Sequence, residues 1–349
     1  MSRVVILDEI AGRPVAALLV DGELHELAVD PGPDTVLPGA IFRAVADRPM
    51  KGMGGMFVKL PAGASGFLRQ TDGLAPGRSV IVQVSGPAEP GKALPVTTRL
   101  LFKSRFAIVT PGAPGLNISR RIRDTALRAE LEAMAAAGMA GADDALGLIL
   151  RSACEDAEPD AVAEDIGAMR RLAEAVTADL TGPPELLLDG ATAHDVALRD
   201  WLDPDPDDLL SDPGSLERQG TLDLIAALLE RRVDLSGGGH MMIEPTRALV
   251  AVDVNTGPDT SPAASLKVNI AAARDLPRQL RLRGLGGQVV VDFAPMPKRD
   301  RAVLDQVLRA AFKGEAAETS LAGWTTLGLY ELVRRRDRLV LADLLAGGV

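Results

Sequence analysis

Cysteine and histidine are both scarce in this sequence of 349 residues, which has one cysteine and three widely spaced histidines. The single cysteine, Cys154, excludes an internal disulfide bond and a zinc site built from several cysteines of one chain. The distance between His25, His194 and His240 along the chain disfavours a metal centre made of histidine and cysteine. If the protein binds a metal, carboxylates are therefore the expected ligands.

Aromatic residues make up only 3% of the chain, so leucine, valine and alanine are expected to form most of the core. The sequence has no run of about 18–20 apolar residues, the length that a membrane-spanning helix needs. The first residues, MSRVVILDEIAGRP, lack the apolar core and the cleavage site of a secretory signal peptide. The sequence therefore predicts a cytoplasmic protein without a membrane partner.

Charge is unevenly distributed along the chain, whose formal net charge is −10. That net charge argues against a general nucleic-acid coat protein. Between Lys267 and Lys313, however, ten basic residues stand against four acidic ones, whereas residues 141–216 are rich in Asp and Glu. A polyanion would therefore bind the C-terminal third. On charge alone, solvated helix faces are the simpler interpretation.

Hydrophobic patterning predicts a mixed α/β fold (α+β) with several subdomains. The first thirty-odd residues alternate apolar and polar positions as a β-hairpin or meander does. Short strands separated by glycine turns, from about residue 38 to residue 101, are typical of a small closed barrel of the OB type. From Phe106 onward strands alternate with helices, including one over 161–176. The run DPDPDDLLSDPG predicts a polar loop, and RRRDRLVLADLL predicts a final helix.

Two predicted strands of the last third end on an aspartate. VAVDVNTG places Asp253 and Asn255 on one side of an extended segment, and VVVDF places Asp292 at the matching point of another strand. If the strands are neighbours, two carboxylates and a carboxamide meet at one sheet edge, a donor set that suits Mg²⁺. The alternative is that both aspartates close turns or cap helices, and the spacing alone leaves this open. Nearby basic residues are candidates for holding flanking phosphates: Lys267, Arg281, Arg283, Lys298 and Arg299.

The segments ALVAVDVNTG and LPRQLRLRGLGGQVVVDF closely resemble the catalytic region of the ribonuclease E/G family of bacterial endoribonucleases. The resemblance implies that Asp253, Asn255 and Asp292 form the hydrolytic centre. Asp253 and Asp292 would hold Mg²⁺, with Mn²⁺ as an alternative ion, and Asn255 would orient a metal ligand or the attacking water. The implied reaction is hydrolysis of single-stranded RNA to products with a 5′-phosphate and a 3′-hydroxyl.

The same resemblance, more thinly spread, implies an RNA-binding surface outside the centre. In GMFVKLPAGASGFL, Phe57 and Phe67 match phenylalanines that contact RNA bases, although a place in the barrel core is the alternative for both. Lys92 lies where the family often has a basic residue that faces RNA. NISRRI resembles a family segment that makes Arg120 and Arg121 candidate phosphate contacts.

LGLILRSACE resembles the family segment that binds the 5′-monophosphate of the substrate. Arg151 would form the guanidinium fork, and Ser152 would replace a threonine hydroxyl. The resemblance thereby implies a preference for RNA with a 5′-monophosphate. The alternative for Arg151 is an ordinary ion pair with Glu155 or Asp156.

The family resemblance also implies an organisation into parts. We expect an RNase H-like N-terminal part (1–35), an OB-type RNA-binding barrel (36–104) and a 5′-sensor-like α/β segment (105–183). A shortened RNase H-like remainder (184–236) and a DNase I-like catalytic domain (237–349) would follow.

Three departures from the family pattern qualify these expectations. The family's Cys-Pro-x-Cys zinc link is missing, so neither zinc nor a zinc-linked dimer is expected, and the oligomeric state stays open. The region between the sensor-like segment and the catalytic strands is short, and the barrel segment is abbreviated. Thr326 replaces a family arginine near the active centre, and Pro295 similarly replaces a frequent acid. The rival hypotheses are therefore an RNA-binding relative that has lost catalysis, and a nuclease or phosphodiesterase that does not select a 5′-monophosphate.

Overall fold

The computed structural model describes residues 2–33, 35–50, 52, 54–71, 73–88, 91–236, 238–259 and 261–346. Within these ranges the chain forms four β-sheets that helices connect and cover. No helix in this part of the chain is long and apolar enough to cross a membrane.

The N-terminal strands form an antiparallel meander joined by two tight turns. Gly12 and Gly22 lie in these turns with positive φ angles of 73° and 80°, a conformation that glycine adopts without strain. The central strand is buried along most of its length because apolar side chains pack on both of its faces. The strands are β1 (Arg3–Ile10), β2 (Arg13–Val20) and β3 (Glu23–Val29).

The next five strands close into a barrel, as the glycine-punctuated pattern predicts for an OB-type fold. They follow one another in the order β4-β5-β6-β8-β7, and β7 pairs again with β4. Small and branched side chains such as Ala44, Val58 and Val82 fill the interior. The strands are β4 (Ile41–Pro49), β5 (Met56–Lys59), β6 (Ser65–Leu68), β7 (Ser79–Val84) and β8 (Leu94–Thr97).

A four-stranded sheet covered by two helices follows the barrel. Asp124 caps the first helix by accepting hydrogen bonds from the backbone amides of Ala126 and Leu127. Leu131 and Ile166, one from each helix, pack on Leu148 of the sheet in one core. The elements are β9 (Phe102–Lys103), β10 (Ala107–Pro111), β11 (Gly115–Ile118), α1 (Thr125–Gly138), β12 (Leu146–Leu150) and α2 (Pro159–Ala178).

The acidic middle of the chain returns to the first two sheets. β13 pairs with β4 of the barrel, and β14 adds a parallel strand beside β1. The prediction of a loop throughout DPDPDDLLSDPG is therefore wrong at β14, because its backbone completes the open edge of the meander. The elements are β13 (Glu185–Leu188), α3 (Ala193–Asp200), β14 (Asp208–Leu210), α4 (Ser215–Arg218) and α5 (Thr221–Leu229).

The last third forms a six-stranded sheet in the order β15-β16-β17-β18-β20-β19. Helices α6 and α7 cover one face, where Leu276 and Leu304 pack on Val252 and Val291. The predicted final helix is wrong over most of its length, since the chain is helical only at 341–344. The elements are β15 (Arg232–Leu235), β16 (Gly239–Pro245), β17 (Val250–Asn255), α6 (Pro262–Leu282), β18 (Gly287–Asp292), α7 (Arg301–Phe312), β19 (Thr319–Trp324), β20 (Tyr330–Arg334) and α8 (Leu341–Leu344).

A network of ion pairs joins the N-terminal meander to the last sheet. Arg281 pairs with Glu26 on β3 at 2.8 Å and with Glu315. Glu315 also accepts from Arg334 at 2.9 Å, and Arg338 pairs with Glu26 at 2.8 Å. The side chains of Glu315 and Arg334 are only 8% and 2% exposed, so each depends on the other for compensation of its charge.

We expect Glu315→Ala to lower the free energy of unfolding by about 3–5 kcal/mol, because it leaves the buried Arg334 guanidinium without its carboxylate. Urea unfolding followed by circular dichroism measures the change. Glu318→Ala, at an exposed position on the same segment, should stay within about 0.5 kcal/mol of wild type. Equal effects of the two substitutions would contradict the importance of the network.

Cys154 is buried, and its Sγ lies 3.4 Å from the Phe106 carbonyl oxygen. Burial raises the pKa of its thiol to about 11. At pH 8 we expect the native protein to react with a disulfide reagent roughly 100-fold more slowly than the unfolded chain, because little thiolate is present. Equal rates in the native and unfolded states would show that the thiol is neither buried nor perturbed.

Candidate active site

Asp253 and Asp292 lie side by side on neighbouring strands. β17 and β18 pair in parallel, and Asp253 is the register partner of Asp292. Both side chains are exposed, whereas the alternating residues Val252, Val254 and Val291 are buried under the helices. The alternation of the strands thus directs both carboxylates to the face opposite α6 and α7.

Asn255 completes the group that the sequence analysis expected to meet at this edge. Its Nδ2 donates a hydrogen bond to Oδ2 of Asp253 at 2.9 Å. In the described part of the chain, neither Asp253 nor Asp292 forms an ion pair with Lys or Arg. Two adjacent carboxylates without a counter-ion repel each other, and a divalent cation would relieve that repulsion.

The donor set fits Mg²⁺ better than a metal that needs a full set of protein ligands. Among the described residues, no group of three or more His, Cys, Asp or Glu side chains could hold a metal ion. Mg²⁺ keeps several of its waters and binds proteins through one or two carboxylates. Asp253 and Asp292 provide these two carboxylates on an open face.

Helix α6 secures the chain that follows Asp292. The side chain of Asn269, which is fully buried, donates to the Ala294 carbonyl at 2.9 Å and accepts from the Ala294 amide at 2.9 Å. These two hydrogen bonds pair the Asn269 side-chain amide with the backbone amide and carbonyl of Ala294. A buried polar group without a hydrogen bond would lower the stability of the fold. Asn269 therefore fixes the exit of β18 and, with it, the position of Asp292.

His240 is a neighbour of the centre that the sequence analysis did not include. It is the register partner of Asn255, while Met242 is the partner of Asp253. Gly239 allows this approach, because a Cβ there would lie 2.3 Å from Val268 Cγ2 and 2.5 Å from the Asn255 carbonyl. The alternating strand HMMIEP was the available signal, since its polar positions share a face with those of β17.

Thr326 lies exposed in the turn between β19 and β20. Another guanidinium lies against the same turn, because Arg301 stacks over Trp324 at 4.5 Å from the ring centroid. Arg301 Nη2 would be 3.1 Å from a Cβ at Gly328. The turn thus lacks the family's arginine but has a cation from α7 beside it.

Phe57 and Phe67 form a pair on the outside of the barrel. They are register partners on β5 and β6, and their ring centroids are 5.3 Å apart. Both are partly exposed, whereas the neighbouring residues Val58 and Leu68 point into the core. The guanidinium of Arg48 lies 5.3 Å from the Phe57 ring centroid, a contact the sequence analysis did not anticipate.

The basic residues predicted for the barrel and the sensor-like segment are at the surface. Lys92, Arg120 and Arg121 are all exposed. Arg121 donates to Oγ of Ser152 at 3.2 Å, and Ser152 in turn donates to Oδ2 of Asp203 at 2.7 Å. The structure therefore brings Arg121 and Ser152 together.

Arg151 is held by protein groups on both of its terminal nitrogens. Nη1 donates to the carbonyls of Ser104 and Arg199 at 2.7 and 3.1 Å, and Nη2 pairs with Asp200 at 2.5 Å. Its ion-pair partner is thus Asp200 rather than Glu155 or Asp156. Burial opposes ionisation of Asp200, but hydrogen bonds and charges from Arg199 and Arg151 outweigh it and lower its pKa.

The five basic residues expected to hold flanking phosphates divide into three exposed residues, one of which is Arg299, and two that have protein partners. Lys267 and Lys298 are exposed. Arg281 takes part in the ion-pair network described above. Arg283 is buried and donates to the Glu230 carbonyl at 2.5 Å, and burial lowers its pKa to about 10. Arg281 and Arg283 therefore bind protein groups and are not part of the proposed RNA surface.

Comparison with known proteins identifies a family and several relatives. A model of the "Ribonuclease E/G family" matches residues 102–221 and 212–337, more than half of the chain. Ribonuclease E of Nostoc sp. (strain PCC 7120) is 29% identical over 382 aligned residues, which cover 93% of this chain and 54% of that protein.

Two further relatives give the same result. Ribonuclease E of Synechocystis sp. (strain PCC 6803) is 29% identical, with 93% of this chain and 55% of the relative covered. Ribonuclease G of Escherichia coli K12 is 28% identical, with 92% and 77% covered. The chain thus spans about half the length of the two ribonuclease E relatives. On the family match, the chain belongs to the ribonuclease E/G family.

Proposed function

We propose that this chain is a Mg²⁺-dependent endoribonuclease that hydrolyses phosphodiester bonds of single-stranded RNA. The observation that carries the proposal is the register pairing of Asp253 with Asp292, with the Asn255 amide on the Asp253 carboxylate. In a member of the ribonuclease E/G family, this pair on an open sheet face is suited to phosphodiester chemistry. The relatives' names supply the substrate class.

The roles of the three residues follow from their chemistry. Asp253 and Asp292 would hold the ion, since their carboxylates share one edge and, among the residues that the structure describes, pair with no Lys or Arg. When bound, Mg²⁺ supplies stabilisation of phosphoryl charge and a more acidic water. Asn255 restrains the Asp253 carboxylate by its hydrogen bond. The water oxygen would bond to phosphorus and lose a proton, while the bond from phosphorus to the 3′-oxygen breaks and that oxygen gains a proton, which yields a 5′-phosphate and a 3′-hydroxyl.

RNA binding is proposed for surfaces of the barrel, of the sensor-like segment and of the last third of the chain. Phe57 and Phe67 offer partly exposed rings on which bases stack. Lys92, Arg120 and Arg121 would contact phosphates from the barrel and the sensor-like segment, and Lys267 and Lys298 would do so near the catalytic edge.

Recognition of the 5′-monophosphate, and so a preference for RNA that carries it, is proposed as the role of Arg121, Arg151 and Ser152. A hydroxyl and a guanidinium are the donors with which proteins recognise phosphate oxygens. Both terminal nitrogens of Arg151 already have protein partners. Ser152 and Arg121 would therefore make most of the contacts to the 5′-phosphate.

An RNA-binding relative without catalysis is the second candidate. The exposed Thr326, where the family has an arginine, favours it, as does Pro295 in place of an acid. Retention of the Asp253 and Asp292 pair favours the enzyme. The two hypotheses differ in one readout, which is cleavage under conditions where RNA is bound.

We expect a short, labelled, 5′-monophosphorylated single-stranded RNA to be cleaved in Mg²⁺ and not in EDTA. Asp253→Asn and Asp292→Asn should each slow cleavage roughly 100-fold or more, because they remove a metal carboxylate. Asp234→Asn changes an exposed carboxylate on β15 of the same sheet and should leave the rate unchanged.

Two outcomes of that assay would count against the proposal. Unchanged cleavage by either centre variant would remove the assignment of the centre. Binding without cleavage, at adequate enzyme and with Mn²⁺ also tried, would favour the RNA-binding relative.

Phe57→Ala should weaken binding of single-stranded RNA by about 1–3 kcal/mol, through the loss of base stacking. Phe57→Tyr keeps the ring and should restore most of the affinity. Fluorescence anisotropy at several salt concentrations separates stacking from charge, because Phe57→Ala should leave the salt dependence unchanged while Arg120→Ala reduces it. If Phe57→Ala binds RNA as wild type does, the rings are not an RNA platform.

A further inference from the structure

The segment 200–205, called the acidic segment from here on, lies on the residues assigned to the 5′-phosphate. It begins at Asp200, the last residue of α3, and three of its carboxylates contact donors of the sensor-like segment. These contacts are Asp200 with Arg151 at 2.5 Å, Asp203 with Ser152 at 2.7 Å and Arg121 at 3.7 Å, and Asp205 with Arg105 at 3.2 Å.

Asp203 differs from Asp200 and Asp205 because its carboxylate contacts both Ser152 and Arg121. Its Oδ2 accepts from the Ser152 hydroxyl and also lies 3.7 Å from Nη1 of Arg121. A single oxyanion oxygen is thus shared by a hydroxyl and a guanidinium. A phosphate oxygen accepts hydrogen bonds from the same kinds of donor.

Arg151, the third donor proposed for the 5′-phosphate, is held in place by several protein groups. Arg151 has two carbonyl partners and Asp200 on its terminal nitrogens, and it is only 24% exposed. Arg121 is 70% exposed and Ser152 has one carboxylate partner, Asp203. Asp203 therefore controls the donors that a ligand can reach.

A ligand can reach these donors from solvent, because the Arg121 side chain is 70% exposed. Asp203 also lines a cleft of about 250 Å³, but that cleft is lined by Asp156, Glu158 and Asp205 and by neither Ser152 nor Arg121, so it is not the place of the phosphate. The carboxylate and the phosphate cannot share the donors, because their negative charges repel at contact distance.

We propose that Asp203 is a specificity-determining residue whose carboxylate competes with the 5′-phosphate of RNA for Ser152 and Arg121. The inference rests on the proposed function, since it takes RNA as the ligand. The competition reduces the discrimination of the wild-type protein between 5′-monophosphate and 5′-hydroxyl ends. Removal of the Asp203 charge increases that discrimination.

The test compares binding of two single-stranded RNAs that differ only in a 5′-monophosphate or a 5′-hydroxyl and carry a fluorophore at the 3′ end. Anisotropy in EDTA gives the ratio of the two Kd values without cleavage. Asp203→Asn should increase the preference for the 5′-monophosphate about five- to tenfold over wild type. The control Asp205→Asn removes an equal charge from the same segment and should leave the ratio unchanged.

A ratio rather than a single affinity is used because loss of any acidic charge strengthens binding of both RNAs. Asp203→Ala gives a second measurement if Asp203→Asn does not fold. An unchanged or reduced ratio in the variant that folds would overturn the inference. If neither RNA binds wild type or variants, the proposed function fails and this inference fails with it, which is a distinct result.

Discussion

The parallel pairing of β17 with β18 is the interaction on which the rest of the last sheet and its proposed centre depend. Parallel strands need a crossover connection, and α6 supplies it with buried residues such as Ala273, Leu276 and Leu280. The same helix holds Ala294 through Asn269. The helix therefore both covers the apolar face and sets the register that brings Asp292 next to Asp253. A slip by one residue would turn one carboxylate toward the core, so the chemistry and the packing share one constraint.

Internal contacts remove some cations of the basic C-terminal third from the surface. Arg281 and Arg334 surround Glu315, and Arg283 is buried against the Glu230 carbonyl. Other cations of this third, such as Lys267 and Lys298, stay exposed. Local charge, rather than the net charge of −10, is therefore the relevant quantity for the proposed RNA surface.

Much of the centre could be predicted from the sequence because its determinants are local. The alternation of VAVDVN places Asp253 and Asn255 on one face, whichever strand pairs with this one. The short strands separated by glycines predict the barrel. The rest depends on contacts between distant positions. Arg151 meets Asp200 and Arg281 meets Glu26, and no periodicity in the sequence indicates such partners. The burial of Arg283 and the pairing of β14 with β1 are likewise properties of the assembled fold, which a charge count or a run of polar residues cannot reveal.

Binding of Mn²⁺, a spectroscopically visible substitute for Mg²⁺, is the most direct test of the claim that Asp253 and Asp292 form one divalent site. Electron paramagnetic resonance counts the free ion in a titration of the whole protein. The account predicts one bound ion per chain in wild type, and affinity at least about tenfold weaker in Asp253→Asn and in Asp292→Asn. Asp234→Asn should bind as wild type does. Equal Mn²⁺ affinity in wild type and both centre variants would contradict the account.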